Sequence, residues 1–271
     1  VNRYLELFPS LPPLNADQTL QRLPIMSFTT LGYPDKQRSL DAVRNLVEAG
    51  SDMLELGLPF TDPVADGPLL QEASRTALEN GYRHEDALQI ISDIRRSSDI
   101  PIGILCYANT VYRRGIQNFY RELADAGADS VLVADIPPEE SSAIRKAARE
   151  SGIAPVFLVT EKSRDQRLQR IAEYSRAFLY LVTRFGVTGT HSAPGQDLKK
   201  VIDRLRSVTA LPVFTGFGIS SSEDIQRMAE AGADAVIIGS AIVRLIQKHA
   251  DSPEQLRSAL FQFIRSLRNE L

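Results

Sequence analysis

Glu55 is the residue best placed to do chemistry. It is the lone carboxylate in an apolar run, Met53-Leu54-Glu55-Leu56-Gly57. Successive side chains of a strand face opposite sides, so Glu55 projects away from Leu54 and Leu56. A carboxylate removed from water is costly unless it is paired or protonated. Burial also lifts its pKa toward values that suit proton transfer near neutrality. The plainer account is a structural glutamate paired to an arginine, yet none of the other strand-like runs contains Arg or Lys. The next segment, Leu58-Pro59-Phe60-Thr61-Asp62-Pro63-Val64-Ala65-Asp66-Gly67-Pro68, carries two aspartates and three internal or flanking prolines that stiffen it. Turn chemistry accounts for Asp62 as well as function does. Asp66, followed by Gly67, can fold back over the strand end and join Glu55 as an acid/base pair.

A second constellation is rich in glycine. Gly216-Phe217-Gly218-Ile219-Ser220 and Gly239-Ser240-Ala241 each follow an apolar run and open a helical pattern. Backbone N–H groups at such turns and helix starts can hold a phosphate without lysine. The alternative is a pair of tight turns with no ligand. Between them in character is the stretch from Thr183 to Gly195, whose three glycines suit a mobile lid and whose His191 reads as solvated rather than catalytic. Asp135, after Leu132-Val133-Ala134, has a strand-end position that suits chemistry, loop support or helix capping.

These residues need a frame. Eight short apolar runs are strand candidates: residues 25–29, 53–57, 102–106, 130–134, 155–159, 178–183, 212–215 and 235–238. Each is nearly continuous in apolar character, as parallel strands buried on both faces are. Amphipathic helical patterns separate them, for example Leu40-x-x-Val43-x-x-Leu46-Val47. Eight alternating β and α units predict a (β/α)8 TIM barrel, with a doubly wound open sheet as the weaker alternative. In such a barrel the chemistry lies at the C-terminal strand ends, and the turns after strands 7 and 8 commonly take phosphate. Three similar turns, Ala49-Gly50-Ser51-Asp52, Ala126-Gly127-Ala128-Asp129 and Ala231-Gly232-Ala233-Asp234, read as structural αβ turns at the opposite end. Residues 1–8 can form a short helix under the barrel. Residues 252–271, with Leu256, Leu260, Phe263, Ile264 and Leu267, predict one more amphipathic helix. No linker interrupts residues 1–271, which read as a single catalytic domain.

Composition narrows the class. With 271 residues, 43% of them apolar, 24% charged and a net charge of −3, the chain has no basic field for nucleic acid or an anionic membrane. No stretch reads as a membrane span, and the start of the chain does not read as a signal peptide. One cysteine, Cys106, excludes an internal disulfide, and three histidines leave little for a metal site. A cytoplasmic protein without a metal is expected. The strand cores lack lysine, with Lys162 the nearest, which argues against a Schiff-base aldolase. Proton transfer alone is the chemistry that remains.

At this point a resemblance becomes specific. The segment from Leu54 to Pro68 resembles the signature of tryptophan synthase α subunits. Phe28-Thr29-Thr30-Leu31-Gly32-Tyr33-Pro34, Tyr107-Ala108-Asn109, Leu132-Val133-Ala134-Asp135-Ile136-Pro137, Gly186-Val187-Thr188-Gly189, Gly216-Phe217-Gly218-Ile219-Ser220 and Gly239-Ser240-Ala241-Ile242-Val243 match in order over about residues 24–245. The resemblance implies retro-aldol cleavage of indole-3-glycerol phosphate to indole and glyceraldehyde 3-phosphate. It makes Glu55 the group that protonates indole C3 and takes the glycerol hydroxyl proton, and Asp66 the acceptor for the indole N–H. It places Phe28, Leu105, Leu132 and Tyr180 around indole, and Thr188, Gly189, Gly216, Gly218, Gly239 and Ser240 around phosphate. It also implies an α2β2 heterotetramer. The β subunit, carrying pyridoxal phosphate, would receive indole and face the loop around Asp62 and residues 109–114. No cofactor or metal is implied on this chain. Cys106, Tyr33, Phe185 and the prolines at 9, 12 and 13 depart from the family's usual residues, and none of them touches Glu55 or Asp66 in sequence. Three other readings stay open: a free-standing indole-3-glycerol phosphate lyase, an isomerase of another phosphorylated compound, and a non-catalytic binding barrel.

Overall fold

A computed structural model describes residues 3–8, 23–182, 194–216 and 218–268. Eight parallel strands close a barrel in chain order: β1 (Ile25–Thr30), β2 (Met53–Gly57), β3 (Ile102–Cys106), β4 (Ser130–Val133), β5 (Ala154–Thr160), β6 (Leu179–Val182), β7 (Val213–Thr215) and β8 (Ala235–Ile238). The circle closes where Ile25 of β1 pairs with Val236 of β8. Helices run outside the barrel between strands, so both faces of the sheet are covered and the strands are almost wholly buried.

The expected strands are all present, with small differences at their ends. β4 stops at Val133 because the chain turns there. Ala134 N–H still reaches the carbonyl of Cys106 at 2.8 Å, but Ile136 N–H already bonds back to Val133. β7 begins after Pro212, which has no N–H to give the ladder. The proline carbonyl nevertheless accepts from Leu179 N–H at 2.8 Å. Expected strand residue 183 lies outside the described residues.

The three Ala-Gly-x-Asp turns share one arrangement at the N-terminal ends of the strands. Gly50, Gly127 and Gly232 have φ of 97°, 103° and 91°, a left-handed conformation that costs glycine little. The aspartates then turn back to the preceding strand. Asp52 accepts from Ile25 N–H at 2.8 Å, Asp129 from Ile102 N–H at 2.8 Å and Asp234 from Val213 N–H at 2.6 Å. Each also holds an arginine: Arg268 at 2.8 Å on Asp52, Arg95 at 2.9 Å and Arg3 at 2.8 Å on Asp129, and Arg206 on Asp234.

The floor of the barrel is sealed from below. The short helix Arg3–Leu7 inserts Tyr4, which is fully buried against Phe178 and Phe214, with its hydroxyl 2.9 Å from Ser130 Oγ. A methyl at Gly103 would meet Met26, Ser130 and Tyr4 within 3.1 Å, so this floor has no spare room. The expected final helix spans Pro253–Leu267 and buries Leu256, Leu260, Ile264 and Leu267, while Phe263 packs at the edge. It lies against the helix Lys36–Glu48. Among the described residues no helix is long and apolar enough to cross a membrane.

Candidate active site

The C-terminal strand ends surround a cavity of about 380 Å³, a size that suits a small-molecule ligand. Its deep part is apolar, walled by Phe28, Leu105, Leu132, Leu158 and Tyr180. Gly57 creates part of this shape. A Cβ there would stand 2.8 Å from the Phe28 ring, so only glycine lets the ring lie across the end of β2. The shallower part is formed by Gly216, Gly218, Ile219, Gly239 and Ser240.

Glu55 lies in register between Phe28 on β1 and Gly103 on β3, facing into this cavity. It is 3% exposed, and its Oε2 has no hydrogen-bond partner. No lysine or arginine among the described residues pairs with it. Burial, then the nearby Asp66 carboxylate, pushes its pKa up to about 8. At neutral pH Glu55 is therefore mostly a neutral acid with a proton to give.

Asp66 reaches the same cavity from the loop between β2 and the helix Pro68–Glu79. A turn closed by Asp66 N–H on the Pro63 carbonyl, at 3.0 Å, brings it back over the barrel mouth. Burial raises its pKa, while a hydrogen bond from Tyr107 acts in the opposite direction. The two carboxylates thus differ in surroundings. Glu55 is enclosed and unpaired, and Asp66 is more open, on a loop whose Ala65 N–H is held by the Tyr107 hydroxyl at 3.2 Å.

The glycine-rich turns are not equivalent. The helix Ser222–Glu230 is closed by its own residues: Ser221 accepts from Asp224 N–H, and Asp224 accepts from Ser221 N–H. The helix Ser240–Lys248 has no side-chain cap at Gly239, so its first N–H groups face the cavity unclaimed by side chains. Gly218, with φ of 71°, needs glycine for its backbone. At Gly216 a Cβ would come 2.8 Å from Ile237 and 3.0 Å from the Tyr180 hydroxyl.

Of the residues expected at the site, Glu55, Asp66, Phe28, Leu105, Leu132, Tyr180, Gly216, Gly218, Gly239 and Ser240 all line this one cavity. Thr188, Gly189, Phe185 and His191 lie outside the described residues. Asp62 is exposed and away from it. Asp135 has a structural partner: its Oδ1 accepts from Ala108 N–H at 2.7 Å and caps the helix Ala108–Arg114 across the strand ends. Lys162 lies on a neighbouring groove with Asp135, Pro137 and Arg164, not in the cavity. Two contributors were not foreseen. Tyr107 was noted only as part of a matching tripeptide, and Arg244 not at all. Arg244, one turn beyond Ser240 on the same helix, is the sole Lys or Arg lining the cavity among the described residues. Its spacing of four from Ser240 is the signal that could have found it. No cluster of three or more His, Cys, Asp or Glu among the described residues could hold a metal ion.

Fold and cavity place the protein among the (β/α)8 barrels with a site at the C-terminal strand ends. The family model described as "Tryptophan synthase alpha chain" matches residues 14–271. A relative of that name from Francisella tularensis is 40% identical over 268 residues, 98% of this chain and 97% of its own. One from Escherichia coli is 41% identical over 242 residues, 89% of this chain and 90% of its own. Among solved structures, a chain of the tryptophan synthase a2b2 complex of Pyrococcus furiosus superposes with a TM-score of 0.83 at 33% identity, covering 92% of this chain and 99% of that one. A chain of Mycobacterium tuberculosis tryptophan synthase gives 0.85 at 31% identity and covers 99% of both. The chain belongs to the tryptophan synthase alpha chain family.

Proposed function

We propose that this single barrel is the catalytic domain of a carbon–carbon lyase that cleaves indole-3-glycerol phosphate to indole and glyceraldehyde 3-phosphate. The observation that carries the reading is Glu55: a neutral, unpaired carboxylic acid at the bottom of an apolar cavity whose rim is made of glycine-rich turns. The indole ring fits among Phe28, Leu105, Leu132 and Tyr180, with phosphate at Gly216, Gly218, Gly239 and Ser240.

In the proposed reaction Glu55 gives its proton to indole C3, and the ring becomes an indolenium. The resulting Glu55 carboxylate takes the proton of the hydroxyl on the glycerol carbon bonded to C3. The O–H electrons form the aldehyde C=O, the C–C bond breaks, and its electron pair returns to the indolenium to restore indole. Glu55 ends protonated, as it began. Asp66, ionised, accepts from the indole N–H and stabilises the positive ring. Thr188 and Gly189 would complete the phosphate and lid contacts.

We infer an α2β2 assembly in which a β subunit with pyridoxal phosphate receives the indole. Val64 and Tyr112 are the exposed large hydrophobic residues among those described. Their segments meet in one groove, lined by Thr61 from the first and Asn109 from the second. An exposed apolar pair on adjoining segments suits a docking face. The buried, free Cys106 agrees with the cytoplasm as the working compartment.

The test is indole release from indole-3-glycerol phosphate, followed by fluorescence, for wild type and Glu55→Gln, with and without a β subunit. Slow release alone, faster release with the partner and none from Glu55→Gln support the reading. Fast release that ignores the partner makes the chain a free-standing lyase. No release in any condition overturns the proposed reaction.

A further inference from the structure

Gly57 ends β2 on the same face of the strand as Glu55, so a side chain there would point into the barrel mouth. A glycine in a strand costs stability. The backbone gives no reason for it, because Gly57 is not among the glycines with positive φ. The reason is space. A Cβ at Gly57 would stand 2.8 Å from Phe28 Cζ and 2.9 Å from Phe28 Cε2, closer than non-bonded carbons pack. The strand cannot draw back to make room. The Gly57 carbonyl accepts from Leu31 N–H at 2.9 Å, and Leu58 N–H reaches the Leu105 carbonyl at 2.9 Å. The other end of the same ring is confined as well. Gly239, with φ of −112°, also lies outside the left-handed region, and a Cβ there would stand 3.1 Å from Phe28 Cδ1 and 3.5 Å from Phe28 Cγ. The Phe28 ring, 5% exposed, thus lies in a slot left by two absent side chains, one on β2 and one in the turn after β8.

We propose that Gly57 is a specificity-determining position for the reaction and acts through Phe28: the absent Cβ sets where the ring lies, and the ring sets the width of the apolar part of the cavity. This rests on the reading of that part as the place of the indole ring. Phe28 forms one wall of it, with Leu105, Leu132 and Tyr180. A methyl group at position 57 pushes the far end of the Phe28 ring off β2. The turn at Gly239 stands behind the near end, so the ring tips into the cavity that it borders. One carbon of misfit in an apolar pocket changes recognition by about tenfold or more. Phe28 is paired in register with Glu55, so a tipped ring also crowds the space beside the proposed acid. The second glycine of the slot belongs to the turn read as a phosphate site. One aromatic ring therefore abuts both parts of the cavity, and its seat is fixed by positions where nothing but hydrogen fits.

The test is a double-mutant cycle of Gly57→Ala with Phe28→Leu, each variant checked by thermal unfolding. Gly57→Ala is expected to raise KM for indole-3-glycerol phosphate, and to weaken binding of free indole, by about tenfold, with a smaller fall in kcat. Leucine ends at Cδ and lacks the Cε2 and Cζ atoms that the new Cβ strikes. On the Phe28→Leu background Gly57→Ala should therefore change KM by less than about twofold. Selectivity gives a second readout. Phe28→Leu should raise kcat/KM for a substrate methylated on its benzo ring relative to the parent, and Gly57→Ala in the wild-type background should lower that ratio. A purely structural Gly57 would change stability and leave the ratio in place. If Gly57→Ala alone does not fold, the double variant is expected to fold, because the collision is gone. A double variant that also fails to fold overturns the proposal, since the obstruction then lies elsewhere than the ring. So does a tenfold rise in KM that persists with Phe28→Leu, or a Gly57→Ala variant with wild-type KM and selectivity. Wild type that binds no indole instead overturns the reading of the apolar part of the cavity, a distinct outcome.

Discussion

Both ends of the barrel bury carboxylates, and the two ends use them in opposite ways. At the bottom, Asp52, Asp129 and Asp234 each accept a strand N–H and each hold an arginine. At the top, Glu55 faces a cavity with an oxygen unpartnered, and no arginine or lysine among the described residues pairs with it. The same functional group is a strut where its charge is matched and a proton carrier where it is not. A matched carboxylate loses little on leaving water, because the strand N–H and the arginine replace its hydration. An unmatched buried one costs stability and holds its proton until a base within reach takes it. The shared direction of the eight strands separates these tasks, since every αβ turn opens at one end and every βα loop at the other.

The comparison can be broken most severely at Glu55. Glu55→Gln is expected to lower kcat for indole release by about a thousandfold or more, since it removes the only proposed proton donor and acceptor at C3. The same change should stabilise the fold at alkaline pH. Glu55 has a folded-state pKa of about 8 against an ordinary 4.5. A raised acid holds extra protons when folded, so its contribution is present at low pH and lost as pH rises between those values. Thermal or denaturant unfolding should show Glu55→Gln gaining on wild type across that window, by roughly 4 kcal/mol at its upper end. Parallel pH curves for the two proteins would falsify the unpaired state of Glu55.

The opposite expectation holds at the bottom. Asp129→Ala strands Arg95 and Arg3 and frees the Ile102 N–H, so unfolding free energy should fall by about 3–5 kcal/mol. The folded protein should keep kcat within about twofold, because the change is at the far end of the barrel from the cavity. A large loss of kcat in the folded fraction would blur the division between the ends. A smaller effect sharpens the top end. Arg244→Ala should raise KM for the phosphorylated substrate about five- to tenfold with kcat little changed, as one charge-assisted contact at the rim is lost. The KM effect should shrink in high salt, because Arg244 is exposed. Smallest is Asp135→Ala, which removes the cap on Ala108 N–H. Unfolding should show a loss of about 1 kcal/mol, with kcat/KM changed by less than about threefold.

Strand positions were legible because parallel barrel strands are apolar on both faces, and runs such as Ile102–Cys106 and Ala235–Ile238 stand out from amphipathic helices. Glu55 was legible for the same reason: a charged residue in such a run has no bland place to go. The bottom aspartates were recognised as turns but not as arginine partners. Arg268 and Asp52 are 216 positions apart, and only the closed circle brings them together. Asp135 had three equal readings, and the choice among them depended on the neighbouring helix start. Tyr107 and Arg244 were harder still. A tyrosine at a strand end and an arginine on a helix are ordinary until the loop and cavity around them are built.

Closure of the circle also has a consequence for how the chain is made. β1 finds its second neighbour, β8, only when residue Val236 has emerged, and Arg268 fastens Asp52 and the Gly50 carbonyl later still. Throughout synthesis the growing sheet therefore carries two open edges, with β1, Ile25-Met26-Ser27-Phe28-Thr29-Thr30, as the permanent one. Paired with β2 on one side only, this strand offers a bare edge, the kind of template on which a second nascent chain can align. The ribosome must deliver some two hundred residues before the first strand is protected, so slow translation or truncation ahead of β8 leaves a half-barrel poised to aggregate.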